Sequence, residues 1–165
     1  MTFALDLKRF AEKAGKRADM LVGGVVVALH AKIDERSPVG DPKLWVYNRG
    51  SKESPDYVNY LAYRDADGYV GGRFRGNWQL GIGSMPDGVL NRVDPDGGAV
   101  RAEIKAAIPA KAAGNVFWLA NNLPYAERLE NGWSTQAPTG MVGLTVREFQ
   151  SVVNDQLASA KRAIP

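Results

Sequence analysis

Glu127 and Glu130 are the nearest this sequence comes to a carboxylate pair. They stand three residues apart in "NNLPYAERLENGWSTQAP" (121–138), with Arg128 between them, a spacing that sets both acids on one side of a helical turn. Two carboxyls so placed could work as acid and base in a glycosidase-like hydrolase. The plainer reading, preferred here, is a charged turn facing solvent or a partner. Arg73 and Arg75 flank Phe74, and their guanidinium forks suit either phosphate or the acids of a neighbouring subunit. The chain's single histidine, His30, sits between Leu29 and Ala31. A metal site needs several convergent ligands, so His30 is assigned a structural or surface role. No Gly-x-Ser-x-Gly elbow is present, and the glycines of "GGRFRG" lack the Gly-Lys-Ser/Thr ending of a phosphate-binding loop. Cysteine is absent, which excludes disulfides, thiol catalysis and cysteine-ligated zinc. The expectation is a protein with no catalytic residue, no metal and no cofactor.

The elements that would position these groups follow from periodicity. Phe3, Leu7, Phe10, Ala14, Ala18, Leu21, Val25, Leu29 and Ile33 recur at steps of three and four, which predicts a long helix with one buried stripe. Gly23 and Gly24 mark a bend or a close helix contact within it, and Pro38 ends it. Residues 40–72 show no period yet hold Trp45, Tyr47, Tyr57, Tyr60, Tyr63 and Tyr69. A flexible spacer would be poor in rings, so this is read as an aromatic loop extension buried on its own chain or on a neighbour. In "GGRFRGNWQLGIG", Trp78, Leu80 and Ile82 alternate with Gln79 and Gly81, a strand pattern. "AVRAEIKAAI" (99–108) favours a short helix stopped by Pro109, and "NVFWLAN" a second strand.

Within the opening segment, Asn121 and Asn122 suit a cap, Pro124 a first helical turn and Gly132 a stop, so Tyr125–Asn131 reads as a turn or two of helix. "GWSTQAPTG" is read as an ordered loop and "MVGLT" as a last short strand. Thr145 and Glu148 have capping-box spacing, opening a helix to about Arg162 with the stripe Val146, Phe149, Val153, Leu157 and Ala160. The fold expected is α+β: one domain over 1–165, a small mostly antiparallel sheet packed by the long N-terminal helix and a C-terminal helix, with the 40–72 extension.

The 165 residues are 45% hydrophobic and 24% charged, the balance of a globular chain able to bury a core. A net charge of +3 and a pI near 9.2 invite a nucleic-acid reading. The distribution argues otherwise. Residues 1–40 carry seven Lys/Arg against five Asp/Glu, residues 121–165 carry four of each, and no run exceeds two cations. A dedicated DNA binder would gather its cations on one stripe. The most apolar run, "LVGGVVVAL" at 21–29, is far short of the roughly 20 residues that span a bilayer, and the charged stretch before it fits a signal peptide poorly. No membrane association and no secretion are expected; a virion or cytoplasmic location is compatible.

Three stretches together carry a resemblance: "SPV" at 37–39 with "GDP" and Trp45 after it, "GYVGGRFRGNWQ" at 68–79, and "NNLPYAERLENGWSTQAPTGMVGLTVREFQ" at 121–150. The chain resembles the neck and tail-completion proteins of long-tailed bacteriophages, small head–tail joining proteins also described as minor tail components. In that family a long first helix leads to Ser/Thr-Pro-Val, then Gly-Arg-x-Arg-x-x-Trp, then Asn-x-x-Pro-Tyr-Ala-x-x-x-Glu-x-Gly before the last helix. The similarity covers most of the chain and is most specific in the C-terminal third. It implies a structural virion protein, a homo-oligomeric, hexameric ring that joins the head–tail connector to the tail tube or its terminator. Double-stranded DNA would pass through the channel without sequence-specific binding. The matching positions are Ser37, Pro38, Gly72, Arg73, Arg75, Trp78, Asn121, Pro124, Tyr125, Ala126, Glu130 and Gly132, which would define fold or interface instead of chemistry. The aromatic excursion departs from the many relatives in which the first motif runs straight into Gly-Arg.

Interfaces favour Tyr, Trp and Arg as anchors. The subunit-contact candidates are therefore Trp45, Tyr47, Tyr57, Tyr60, Tyr63, Arg73, Arg75, Tyr125, Arg128, Glu130 and Trp133. The competing expectations are a channel protein that touches nucleic acid and a hydrolase using Glu127 and Glu130.

Overall fold

The computed structural model describes residues 3–40 and 70–165. Of the predicted aromatic extension, residues 41–69, with Trp45, Tyr47, Tyr57, Tyr60, Tyr63 and Tyr69, lie outside the described residues. The architecture is α+β: helices around a two-stranded antiparallel sheet, with a long helix first and another last.

Helix α1 runs Phe3–Arg36, 34 residues, or about 51 Å at 1.5 Å per residue. It stops just before Pro38. There the Ser37 amide donates to Asp34 O at 3.0 Å and the Ser37 hydroxyl donates to Ile33 O at 2.8 Å. The same hydroxyl accepts the indole N–H of Trp78 at 2.9 Å, so the helix end is pinned to the first strand.

A single helical turn, α2 (Arg73–Gly76), leads into strand β1 (Trp78–Ile82). After a long turn comes helix α3 (Gly98–Ala107), then strand β2 (Phe117–Asn121), paired so that Trp78 faces Asn121 and Ile82 faces Phe117. Short helices α4 (Ala126–Glu130) and α5 (Val142–Arg147) precede helix α6 (Phe149–Ala163). The main helix against β1 is α3, while α6 packs chiefly on α1. The core gathers Ile33, Trp78, Val100, Ile104, Leu123 and Met141, with the Phe74 and Trp78 rings edge-on at 5.8 Å.

Helices α1 and α6 are antiparallel. Glu148, at the start of α6, takes Lys32 (2.8 Å) and Arg36 (2.6 Å), while near its end Ile164 O accepts from Arg17 Nε at 2.7 Å. The two mid-helix glycines mark close contacts: a Cβ on Gly24 would stand 2.5 Å from Gln156 Oε1 of α6, and one on Gly23 2.7 Å from Cγ2 of Ile108, the residue after α3.

Four sequence expectations are corrected. First, the predicted stripe of α1 is buried only in its second half. Phe3 is 83% and Phe10 69% exposed, and Leu7 is exposed with them, because α6 ends beside Arg17 and nothing among the described residues continues past it. Second, "MVGLT" lies in helix, not strand: the amides of residues 141–143 are satisfied by the Glu130 carboxylate instead of a strand ladder. Third, Thr145 caps nothing. Its hydroxyl donates to Met141 O (2.8 Å) and accepts from Arg36 (2.9 Å), and Glu148 is taken by Lys32 and Arg36. Fourth, Val146 and Phe149 are exposed, and the buried face of α6 carries Val152 and Ala160.

Candidate functional site

The segment 121–143 is built as a set of ties to the sheet and to α5. The Asn121 side chain donates to Phe74 O at 2.9 Å, and Asn122 donates to Pro86 O and Gly88 O, both at 3.0 Å. These bonds hold the turn that launches α4 against α2 and the 83–90 loop. Helix α4 closes with Asn131, Gly132 and Trp133 amides bonded to the carbonyls of Glu127, Leu129 and Arg128.

Glu130 is the centre of the segment. Its carboxylate accepts from the amides of Met141 (2.9 Å), Val142 (2.9 Å) and Gly143 (2.8 Å). It therefore satisfies the open N–H groups at the start of α5, with its charge at the positive end of that helix. Partial burial opposes ionisation, yet the three amide bonds outweigh it and hold the carboxyl below the usual carboxylate range. Gly140 makes the approach possible: it sits at φ 77°, and a Cβ there would overlap Glu130 O. Glu127 is exposed and separate from this cap. The two acids thus occupy unlike settings, one a structural acceptor and one a surface group.

The arginines divide in the same way. Arg75 donates to three carbonyls, Ser37 (3.0 Å), Pro95 (3.1 Å) and Glu35 (3.3 Å), and so braces the end of α1 against the turn before α3. Arg73 is exposed. Arg128 lies over the Trp133 ring, 3.9 Å from its centroid, and that ring is 56% exposed. Tyr125 packs at 6.2 Å from Phe74 with much of its ring at the surface. The structure thus brings Tyr125, Arg128, Glu130 and Trp133 together around α4, while Arg75 belongs to the α1–α3 junction. Gln136 ties the following loop back to Val39 through two bonds of 3.1 and 2.7 Å.

His30, assigned a structural or surface role from the sequence, is buried; the rest of the polar interior was missed. His30 and Asp34, one turn apart on the buried face of α1, are 1% and 0% exposed. Asp34 Oδ2 accepts from Arg101 at 2.6 Å, while Asp34 Oδ1 and His30 Nε2 make no hydrogen bond among the described residues. Burial, helped by the Arg101 charge, lowers the His30 pKa to about 4, so the ring is neutral near pH 7. Burial likewise pushes the Asp34 carboxyl up, opposed by Arg75 and Arg101 and reinforced by Asp94. Asp94 caps α3 through the Val100 amide at 2.8 Å, and buried Asn77 donates to Arg73 O and accepts from Leu90 N, both at 2.8 Å. The one signal for any of these in the sequence is Asp94, an Asp placed shortly before a helix.

An open apolar groove of about 590 Å³ lies between α1, the end of α3 and α6. Gly23, Gly24, Val27 and Ala31 line it together with the charged Lys16, Asp19 and Lys105. Among the described residues no cluster of three or more His, Asp or Glu is placed to hold a metal, and no helix is long and apolar enough to cross a membrane. No protein-family model matches the chain, and no curated protein or solved structure matches it either.

Proposed function

We propose that this protein is a structural subunit of a homo-oligomeric ring at the head–tail junction of a long-tailed bacteriophage. Copies would join the connector to the tail tube around the DNA channel. One observation supports the assembly part of the reading: Phe3, Phe10, Trp118, Trp133 and Phe149 are exposed among the described residues. Large rings of this kind are the side chains that anchor subunit contacts. The resemblance of the three motifs to neck and tail-completion proteins supplies the location.

The geometry of the motif residues is in keeping with a structural role. Glu130 spends its carboxylate on three amides and Arg75 its guanidinium on three carbonyls. Groups so engaged shape a surface and leave Tyr125, Arg128 and Trp133 as its outward features.

The test is native mass measurement at rising concentration, paired with antibody labelling of intact particles. The expected result is a closed oligomer of one size and label at the neck. A chain that stays single at high micromolar concentration, or label elsewhere in the particle, would sink the proposal. The cationic face of α1 favours one second reading, contact with nucleic acid: Lys8, Arg9, Lys13, Lys16 and Arg17 are set against Asp6 and Glu12. Binding to duplex DNA that weakens steeply with salt would support that reading.

A further inference from the structure

From the sheet we infer that the open edge of β2 pairs with the same edge of a second copy. The two strands run antiparallel in a register centred on Trp118, and two short sheets become one continuous sheet. The pairing rests on the assembly half of the function proposed above and is indifferent to where in a particle the copies meet.

The two edges of the sheet are built differently. Gly83 N donates to Val116 O at 2.8 Å, and Ile82 stands opposite Phe117. Ladder bonds alternate along an antiparallel pair, so Gly81–Trp118 and Gln79–Ala120 are the bonded pairs. The backbone groups of Phe117 and Leu119 therefore point away from β1, and those of Trp78, Leu80 and Ile82 point away from β2. The β1 edge is obstructed at its start. Arg92 donates to Gly76 O (2.6 Å) and Trp78 O (3.2 Å), its guanidinium pairs with Glu103 of α3, and α3 packs against the strand. The β2 edge is bare. Phe117 and Leu119 make no backbone hydrogen bond on that side among the described residues, and the main neighbour of β2 is β1.

Edges that are not meant to pair are protected by charge, proline, a bulge or a covering element. The β1 edge has a charge and a helix. Residues 114–122, "GNVFWLANN", hold no charged residue and no proline. Strand β2 runs through its register without a bulge, and Val116 and Trp118 are exposed. An unguarded run of β-branched and aromatic residues is a template for another strand.

These edges select a second copy as the occupant. A docking strand must bring open backbone groups of its own, and in another copy Arg92 stands on the β1 edge, which leaves β2. With Trp118 opposite the partner's Trp118, Phe117 forms a bonded pair with the partner's Leu119, and Leu119 with the partner's Phe117. Each pair exchanges both of its N–H···O bonds. Leu119 packs against the core, and Phe117 shares its face by alternation, so the apolar layer runs across the join. The Trp118 rings meet on the other face in a non-bonded pair, the closer of the two kinds. No like charges oppose one another. The contact is isologous and makes pairs; a ring would join such pairs through other surfaces.

The chain has no cysteine, so disulfide trapping has no background. Facing Cβ atoms in a non-bonded pair lie about 4.5–5.5 Å apart, near the span of a disulfide. Under mild oxidation Trp118→Cys protein should form a linked dimer, and Val146→Cys, an exposed site on α5, should not. Equal linkage of the two, or no linkage of Trp118→Cys, overturns the pairing. A Trp118→Cys chain that links to Gln79→Cys protein in a mixture, and not to itself, would put β1 of the partner on this edge and overturn the two-fold contact.

Trp118→Lys and Trp118→Glu each set like charges face to face at the centre of the pair. Each should weaken association about tenfold or more, and mixing the two variants should restore it. The urea midpoint of each variant at high dilution checks that the single chain still folds. Association that is unchanged in both variants, or not restored in the mixture, sinks this pairing and leaves the assembly proposal standing. A wild-type chain that stays single at high micromolar concentration sinks both.

Discussion

Helix α1 is two different objects joined at Arg17. Before it, Phe3, Leu7 and Phe10 stand exposed on an arm that also bears most of the helix's cations. After it, the helix buries Val25, Val26 and Ile33, but also His30 and Asp34. Apolar groups lie outside in the first half, and polar ones inside in the second. The periodic spacing is the same throughout, so spacing decides which residues share a face, while the neighbour decides whether that face is dry. In the second half α3 and α6 supply the cover. His30 and Asp34 are carried into the interior by their place on the covered face, at a cost in desolvation that Arg101 offsets for Asp34.

Substitutions that separate the halves make this contrast measurable. The largest effect is expected at Ile33, 5% exposed and part of the core. Ile33→Ala should cost about 3 kcal/mol, read as a fall in the urea midpoint of dilute protein, whereas Phe10→Ala should stay within about 0.5 kcal/mol. Equal losses would mean that the arm is already covered in the single chain.

Next comes His30, whose pKa is lowered from 6.5 to about 4. The unfolded chain then binds more protons than the folded one between those values. Stability conferred by the neutral ring is complete above pH 6.5 and falls as pH drops toward 4, by up to about 3 kcal/mol. Denaturant titrations at several pH values should show this slope in the wild type and lose most of it in His30→Leu. An identical slope in both proteins would place the proton uptake elsewhere.

Smaller, and on the opposite side of the molecule's polar chemistry, is Glu130. Removing the cap in Glu130→Ala leaves three amides open at the start of α5 and should cost about 2 kcal/mol, against about 0.5 or less for exposed Glu127→Ala. Comparable costs would contradict the separation of the two acids. Smallest is Arg128→Ala, which removes the cation over the exposed Trp133 ring; a loss of about 0.5 kcal/mol is expected, seen also as a change in Trp133 emission.

Much of the local structure was legible. The long helix and its stop at Pro38, the strand at Trp78, the helix before Pro109 and the strand at "FWLAN" all stand where periodicity and turn residues set them. Each of those segments carries a consistent local preference. "MVGLT" does not. Its β-branched residues lean toward strand, and the helix forms because Glu130, eleven residues before Met141, supplies the capping acceptor. Thr145 and Glu148 have the right spacing for a box, but Arg36 and Lys32 compete for both from over a hundred residues away.

Of the eleven subunit-contact candidates, Tyr125, Arg128, Glu130 and Trp133 lie on or beside α4, as neighbours in one short segment must, and five lie outside the described residues. That Glu130 turns inward to α5, and that Arg75 serves α1 instead, depended on partners outside the segment.

The sequence by itself determined the long first helix, the two strands, the helix before Pro109 and their order, because helical and strand periods and the φ limits of proline and glycine act within a few residues. The tertiary structure alone decided which faces are covered, which ionisable groups go inside and which acid becomes a cap. Those outcomes depend on desolvation and on hydrogen-bond partners brought from distant parts of the chain, and no local pattern encodes where α6 will end and leave the arm of α1 bare.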